Sequence, residues 1–213
     1  MQLADRIEAR RFVGREFLLW LWVESELFDA TLSTEAHGTF GLWIERRIVL
    51  SSGKESTRIT SQSPGLTRDA KEALLRGQLP ESAGLRITLG DHDTAFVLKA
   101  DQLCVSGLKL ATVLDEDEGP NPTLEDMAPK RRAKKKSAED AEHESHEAFY
   151  ERMRLTQEFE ALLEALYQDF ISLRLSAAWQ KAFVPMARAW AEGKPAEAEG
   201  YTRAKKRLAR SAK

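Results

Sequence analysis

A single cysteine, Cys104, occurs in the 213-residue chain, so no disulfide can form within it. Nothing around it offers the low-pKa surroundings of a reactive thiol, and a reducing cytoplasm fits best. The longest apolar run, Phe17 to Val23, is far short of the roughly 20 residues that cross a bilayer, so no transmembrane helix and no membrane partner is expected. No secretory leader is expected either, because Asp5, Arg6, Glu8, Arg10, Arg11, Arg15 and Glu16 interrupt any apolar stretch in the first thirty residues.

Catalytic motifs are equally scarce. Gly38, Gly41, Gly53 and Gly65 are scattered through turns and strands and match no nucleotide fingerprint. There is no nucleophile elbow and no Cys/His pair placed to activate a nucleophile. His143 and His146, beside Glu142, Glu144 and Glu147, have no spaced second pair and read as a solvated acidic helix start, not a metal cluster. Asp91-His92-Asp93 reads as a polar hairpin turn more readily than as an acid/base group. The carboxylates Asp115 to Glu118 fall in a stretch too loose to pre-organise a metal for nuclease chemistry. The expectation is a binding protein, not an enzyme, with no cofactor and no metal.

What the chain does have is ample apolar content, 42%, for a globular interior. Arg10 to Phe28 reads as a helix apolar on most of its circumference, hence buried. Four or five strands follow, with segments at Thr39 to Leu50, Thr57 to Ser61, Leu85 to Leu89 and Thr94 to Lys99. Alternation with Trp43 inward places Glu45 and Arg47 on its face and Leu42, Ile44, Arg46 and Ile48 on the other. Thr67 to Gly77 has an N-cap, helical spacing and a terminal glycine, and Gly90-Asp91-His92-Asp93 marks a hairpin. Trp20, Trp22, Phe40, Trp43 and Phe96 are assigned to packing. From about Ser145 the residues Phe149, Met153, Phe159, Leu162, Leu163, Leu166, Phe170, Leu173 and Leu175 recur at helical spacing, and a second helix runs to Trp190 with Pro185 forcing a break or kink.

The fold class expected is α+β, a small mostly antiparallel sheet with packed helices followed by a C-terminal helical segment. The expected divisions are 1–114 for the α+β domain, 115–144 for a charged disordered linker, 145–192 for the helical segment and 193–213 for a basic tail.

The net charge of -2 conceals segregated blocks. Lys130, Arg131, Arg132, Lys134, Lys135 and Lys136 put six positive charges into seven positions. Arg203, Lys205, Lys206, Arg207 and Arg210, with Lys213, put six more into the last eleven. Each block can neutralise several phosphates, so these residues are the DNA-binding candidates, and a helical tail would gather Arg203, Lys206, Arg207 and Arg210 on one face. Arg46, Arg47, Arg58 and Arg86 can extend a basic surface. Read blandly, the same blocks are solvated linkers, and the long helix is a protein interaction or oligomerisation element.

Phe12-Val13-Gly14-Arg15-Glu16-Phe17-Leu18-Leu19-Trp20-Leu21-Trp22 resembles a segment of the RdgC-like, recombination-associated proteins of bacteria. The stretch with Gly65, Ala70, Ala73-Leu74 and Gly77, then Gly107-Leu108-Lys109-Leu110, and the helix from Phe149 through Tyr167, Arg174-Leu175-Ser176 and Trp179 are similar to the same family. The resemblance covers about residues 10–192 and corresponds to the family's C-terminal half. It implies sequence-independent DNA binding near recombination, a nucleoid-associated location and a homo-oligomer, a dimer that rings duplex DNA in better-known members. Ring closure is not expected to carry over, because the chain is shorter than those members and resembles only their C-terminal half; a second polypeptide supplying the N-terminal part is one partner the resemblance allows.

Overall fold

The computed structural model describes residues 3–52, 55–90, 92–110, 138–195 and 198–211. The apolar circumference near the N-terminus becomes helix α1, Leu3–Leu27, which begins earlier than its apolar pattern does. Phe17, Leu18, Trp20, Leu21, Trp22 and Val23 are all buried along it, because α1 is covered by the sheet on one side and by a later helix on the other. Among the described residues no helix is long and apolar enough to cross a membrane.

Six strands form one antiparallel sheet: β1 (Thr31–Thr34), β2 (Gly38–Ser51), β3 (Ser56–Ser61), β4 (Leu79–Leu89), β5 (His92–Lys99) and β6 (Cys104–Leu110). The order is β1-β2-β4-β5-β6, and β3 pairs with β2 beyond the end of β1, so the long β2 holds two short strands end to end along one edge. Phe40, Leu42, Ile44, Ile48, Leu50, Ala83, Leu85, Ile87, Phe96 and Leu98 turn one face of the sheet into the core. That face carries the helices.

Two features of β2 differ from the alternation read in sequence. The inward set is Phe40, Leu42 and Ile44, so Trp43 lies half-buried on the outer face and not inward. Between Ile44 and Ile48 the partner strand advances only from Leu85 to Ala83, which leaves two extra residues on β2. An even insertion keeps Ile44 and Ile48 on one face, while Arg46, at φ 63°, is thrown out to solvent.

Helix α2, Arg68–Leu75, is capped as its sequence predicts: the Thr67 hydroxyl accepts from the Ala70 amide at 3.4 Å, and Gly77 follows at φ 87°, a conformation glycine adopts without strain. Leu89 pairs directly with His92, confirming the hairpin, although Asp91 lies outside the described residues.

Helix α3 spans Ala138–Leu175 and so starts within the stretch expected to be linker. Its buried positions, Leu155, Phe159, Leu162, Leu166, Phe170 and Leu173, recur every three or four residues. Phe149, Tyr150 and Met153 continue the apolar pattern toward the N-terminus but are exposed, and so is Leu175 at the helix's last position. At Pro185 there is no break. A π-helical turn, Trp179–Phe183, runs directly into α4, Val184–Ala191, with Pro185 in its first turn, where no amide donor is needed. The last element, α5, is Ala198–Ser211.

One aromatic chain ties these helices together. Ring centroids are 5.9 Å apart for Trp20–Phe170, 5.6 Å for Phe170–Trp179, 4.3 Å for Trp179–Phe183 and 5.7 Å for Phe183–Tyr201. Glu16 and Arg174 add an ion pair at 2.6 Å between α1 and α3. Residues of 145–192, and Tyr201 of the tail, therefore share a single hydrophobic core with α1 and the sheet.

Candidate nucleic-acid interface

Among the described side chains of helix α5, Tyr201 is buried in the core and Ala198 packs beside it. Tyr201 is 1% exposed and packs on Phe28 and Phe183. At 100° per residue, positions 203, 206, 207 and 210 lie within about 60° of the side opposite Tyr201. Arg203 is exposed there and pairs with Glu199 at 3.0 Å, both side chains being largely in solvent. Such a pair contributes little to stability and exchanges readily for a phosphate. Lys206, Arg207 and Arg210 share that face by position.

Lys205 is placed differently. It stands one turn after Tyr201, and its Nζ lies 3.0 Å from Glu24 Oε2 and 5.4 Å above the Trp20 ring. Glu24 is 2% exposed. Its other oxygen accepts a short hydrogen bond from the Tyr201 hydroxyl, which in turn accepts one from Trp20 Nε1 at 2.9 Å. Burial, reinforced by the neighbouring Glu24 carboxylate, pushes the Tyr201 hydroxyl far above the ordinary tyrosine range, so it remains a donor. Nearby Asp169 is raised by burial, against the pull of Lys205 and with help from Glu24 and Glu35. The sequence reading missed this cluster. Its only local sign is an acid, Glu24, four residues after Trp20 and four before Phe28 on an otherwise apolar stripe.

The outer face of the sheet holds the strand arginines. Arg86 is neutralised: its guanidinium lies 2.8 Å from Glu45, 3.4 Å from Asp93 and 4.7 Å over the Trp43 ring. Thr88 also donates to Asp93, so the carboxylate beside His92 is engaged by its own hairpin. Arg47 and Arg58 share the outer face through the pairs Arg47↔Thr60 and Val49↔Arg58. Lys99 and Lys109 join them by alternation and by the pair Ala95↔Lys109, which sequence reading had not included. None of these four cations, nor Arg46, has an ion pair among the described residues. Because α5 belongs to the helical layer, its cationic face and this sheet face are distinct surfaces.

A cleft of about 290 Å³ between the end of α1 and the sheet is lined by Ser25, Glu26, Trp43, Glu45, Leu66 and Arg86. Arg86 already covers the Trp43 ring and satisfies Glu45, which leaves Glu26 as the cleft's one carboxylate without an ion pair among the described residues. Burial raises the Glu26 carboxyl above its ordinary value, and Lys71 only partly offsets this. A raised carboxyl means that the folded chain holds its proton more tightly than the unfolded chain does. Its favourable contribution is therefore complete below the ordinary glutamate range and is lost as pH rises through the raised value. Glu26→Gln is expected to stabilise the protein slightly at pH 7, with the gain vanishing toward pH 4, as read from urea midpoints at the two pH values.

Lys130, Arg131, Arg132, Lys134, Lys135 and Lys136 lie outside the described residues, as do Asp115 to Glu118. Among the described residues, no group of three or more His, Cys, Asp or Glu side chains is placed to hold a metal ion. His146 is exposed on α3, and Cys104 is exposed at the start of β6. Compared with known proteins, the chain matches no family model and no curated protein.

Proposed function

We propose that this protein binds DNA through its phosphates, without reading sequence, and serves recombination or DNA architecture in the way its RdgC-like resemblance implies. The observation that carries the reading is the anchoring of α5. With Tyr201 in the core, Arg203 and positions 206, 207 and 210 form a cationic stripe on the opposite side of the helix. Helix-borne Arg and Lys side chains suit phosphate contacts, which position a protein on a duplex but carry no base information. Lys130 to Lys136 would add a second phosphate-binding element, and the outer sheet face a third.

Titrating random-sequence duplex DNA at several salt concentrations tests this. Affinity is expected to fall linearly on a log–log plot, each phosphate-contacting cation contributing about 0.9 to the slope. Arg203→Ala should reduce that slope by about 1. No binding at low salt would reject the proposal.

The exposed Phe149, Tyr150 and Met153 of α3 support a second reading, a protein interaction or oligomerisation surface without nucleic-acid affinity. Sedimentation of the wild type beside Phe149→Ser would separate the two, since only the second reading ties that face to assembly.

A further inference from the structure

We infer that Glu24 is the positioning residue of the basic helix: a buried carboxylate, bonded to Tyr201 and Lys205, fixes the direction in which the cations of α5 face. The inference rests on the DNA-binding reading just proposed and deepens it.

Apart from the aromatic packing of Tyr201, the polar contacts between α5 and α1 among the described residues gather around Glu24 and the Tyr201 hydroxyl. Tyr201 donates to one carboxylate oxygen, and Lys205 Nζ reaches the other at 3.0 Å. Trp20 Nε1, from the preceding turn of α1, donates to the Tyr201 hydroxyl at 2.9 Å and fixes where its proton points. These contacts span 177 to 181 residues of chain. Tyr201 and Lys205 are one helical turn apart on α5, so holding both sets the rotation of the helix about its own axis as well as its position. The charged groups around Glu24 are Lys205 on α5 and Asp169 on α3, with Glu35 acting on Asp169 from the β1–β2 turn. Without Glu24, Lys205 would face Asp169, and the packing of the Tyr201 ring would be left to hold the helix.

The consequence has an unexpected sign. A carboxylate near a phosphate-binding surface weakens binding by repulsion, so removing one should tighten it. Glu199→Gln removes such a charge from the exposed start of α5 and should raise DNA affinity by up to about twofold. Glu24→Gln removes the same charge but also releases the helix, and should lower affinity, by about threefold or more. Tyr201→Phe keeps the ring and every charge while removing the hydroxyl, and should lower affinity in the same direction as Glu24→Gln.

The test measures duplex affinity of the full chain and its three variants at one low salt concentration, together with amide hydrogen exchange across 198–211. Weaker binding and lost α5 protection in Glu24→Gln and Tyr201→Phe, with tighter binding in Glu199→Gln, would support the inference. Binding by Glu24→Gln as tight as by Glu199→Gln, or α5 protection unchanged in both Glu24→Gln and Tyr201→Phe, would overturn it. If wild type binds no DNA, the functional proposal fails, and exchange alone then decides whether Glu24 positions the helix. Should Glu24→Gln not fold, Tyr201→Phe carries the same comparison.

Discussion

Truncating Phe170 to alanine is expected to lower the unfolding free energy by about 3–5 kcal/mol, the range for a fully buried phenylalanine. Phe170 is 0% exposed and meets Phe17, Trp20, Tyr167 and Trp179 at centroid distances of 5.3–6.0 Å. Those rings belong to α1, to α3 and to the π-helical turn that follows α3, so the cavity would open where α1 meets a segment far from it in sequence. Loss of α1–sheet structure should therefore coincide with loss of the C-terminal helices, giving one urea transition by both tryptophan fluorescence and far-ultraviolet circular dichroism. Two separated transitions would mean that the segment 145–192 is a unit with its own core, against the shared packing described above.

Replacing Gly14 by alanine should also destabilise the protein, although alanine is the better helix former by about 1 kcal/mol. A Cβ at position 14 would stand 2.1 Å from the carbonyl oxygen of Ala100 and 2.9 Å from its carbonyl carbon. Both are backbone atoms, so relief requires α1 to move off the end of β5 instead of a side chain swinging aside. Overpacking of this kind costs about 1–3 kcal/mol beyond the propensity gain, so a net loss is expected in a denaturant titration. A stabilised Gly14→Ala variant would show that α1 does not approach Ala100 this closely.

Much of the fold is legible in the sequence where a pattern repeats. The apolar run around Trp20, the spacing from Phe159 to Leu173, and the cap-and-glycine signature of Thr67 and Gly77 each encode their element locally. Elements without a repeat are not legible. Thr31–Thr34 is too short to announce a strand, and β6 becomes one through pairing with β5. The outward turn of Arg46 depends on how β4 advances beside β2, and nothing in the residues Glu45-Arg46-Arg47 marks two of them as surplus. Trp43 illustrates the same limit: its size suggests the core, yet Arg86 covers it on the outer face.

The candidate interface divides similarly. The positive charges of the tail are plain in the sequence, and so is the stripe formed by Arg203, Lys206, Arg207 and Arg210 once a helix is assumed. Which cations are already engaged is not, because engagement is set by tertiary contacts. Lys205 is held by Glu24 across 181 residues of chain, and Arg86 by Glu45 and Asp93. Ala198, Tyr201 and Leu208 fall on one side of a helical tail, but three apolar residues among so many charges are too few to mark Tyr201 as a core residue. Deleting the tail after Gly200 would remove a core residue along with the charges, so neutralising the outward face is the sounder probe.

That probe tests the central claim most directly: the salt dependence of duplex binding by a variant carrying Arg203→Gln, Lys206→Gln, Arg207→Gln and Arg210→Gln, with Tyr201 and Lys205 intact. The α5 account predicts binding to random-sequence duplex whose log–log slope loses about 3–4 relative to wild type. A slope equal to the wild type's, or no binding by the wild type itself at low salt, would contradict it.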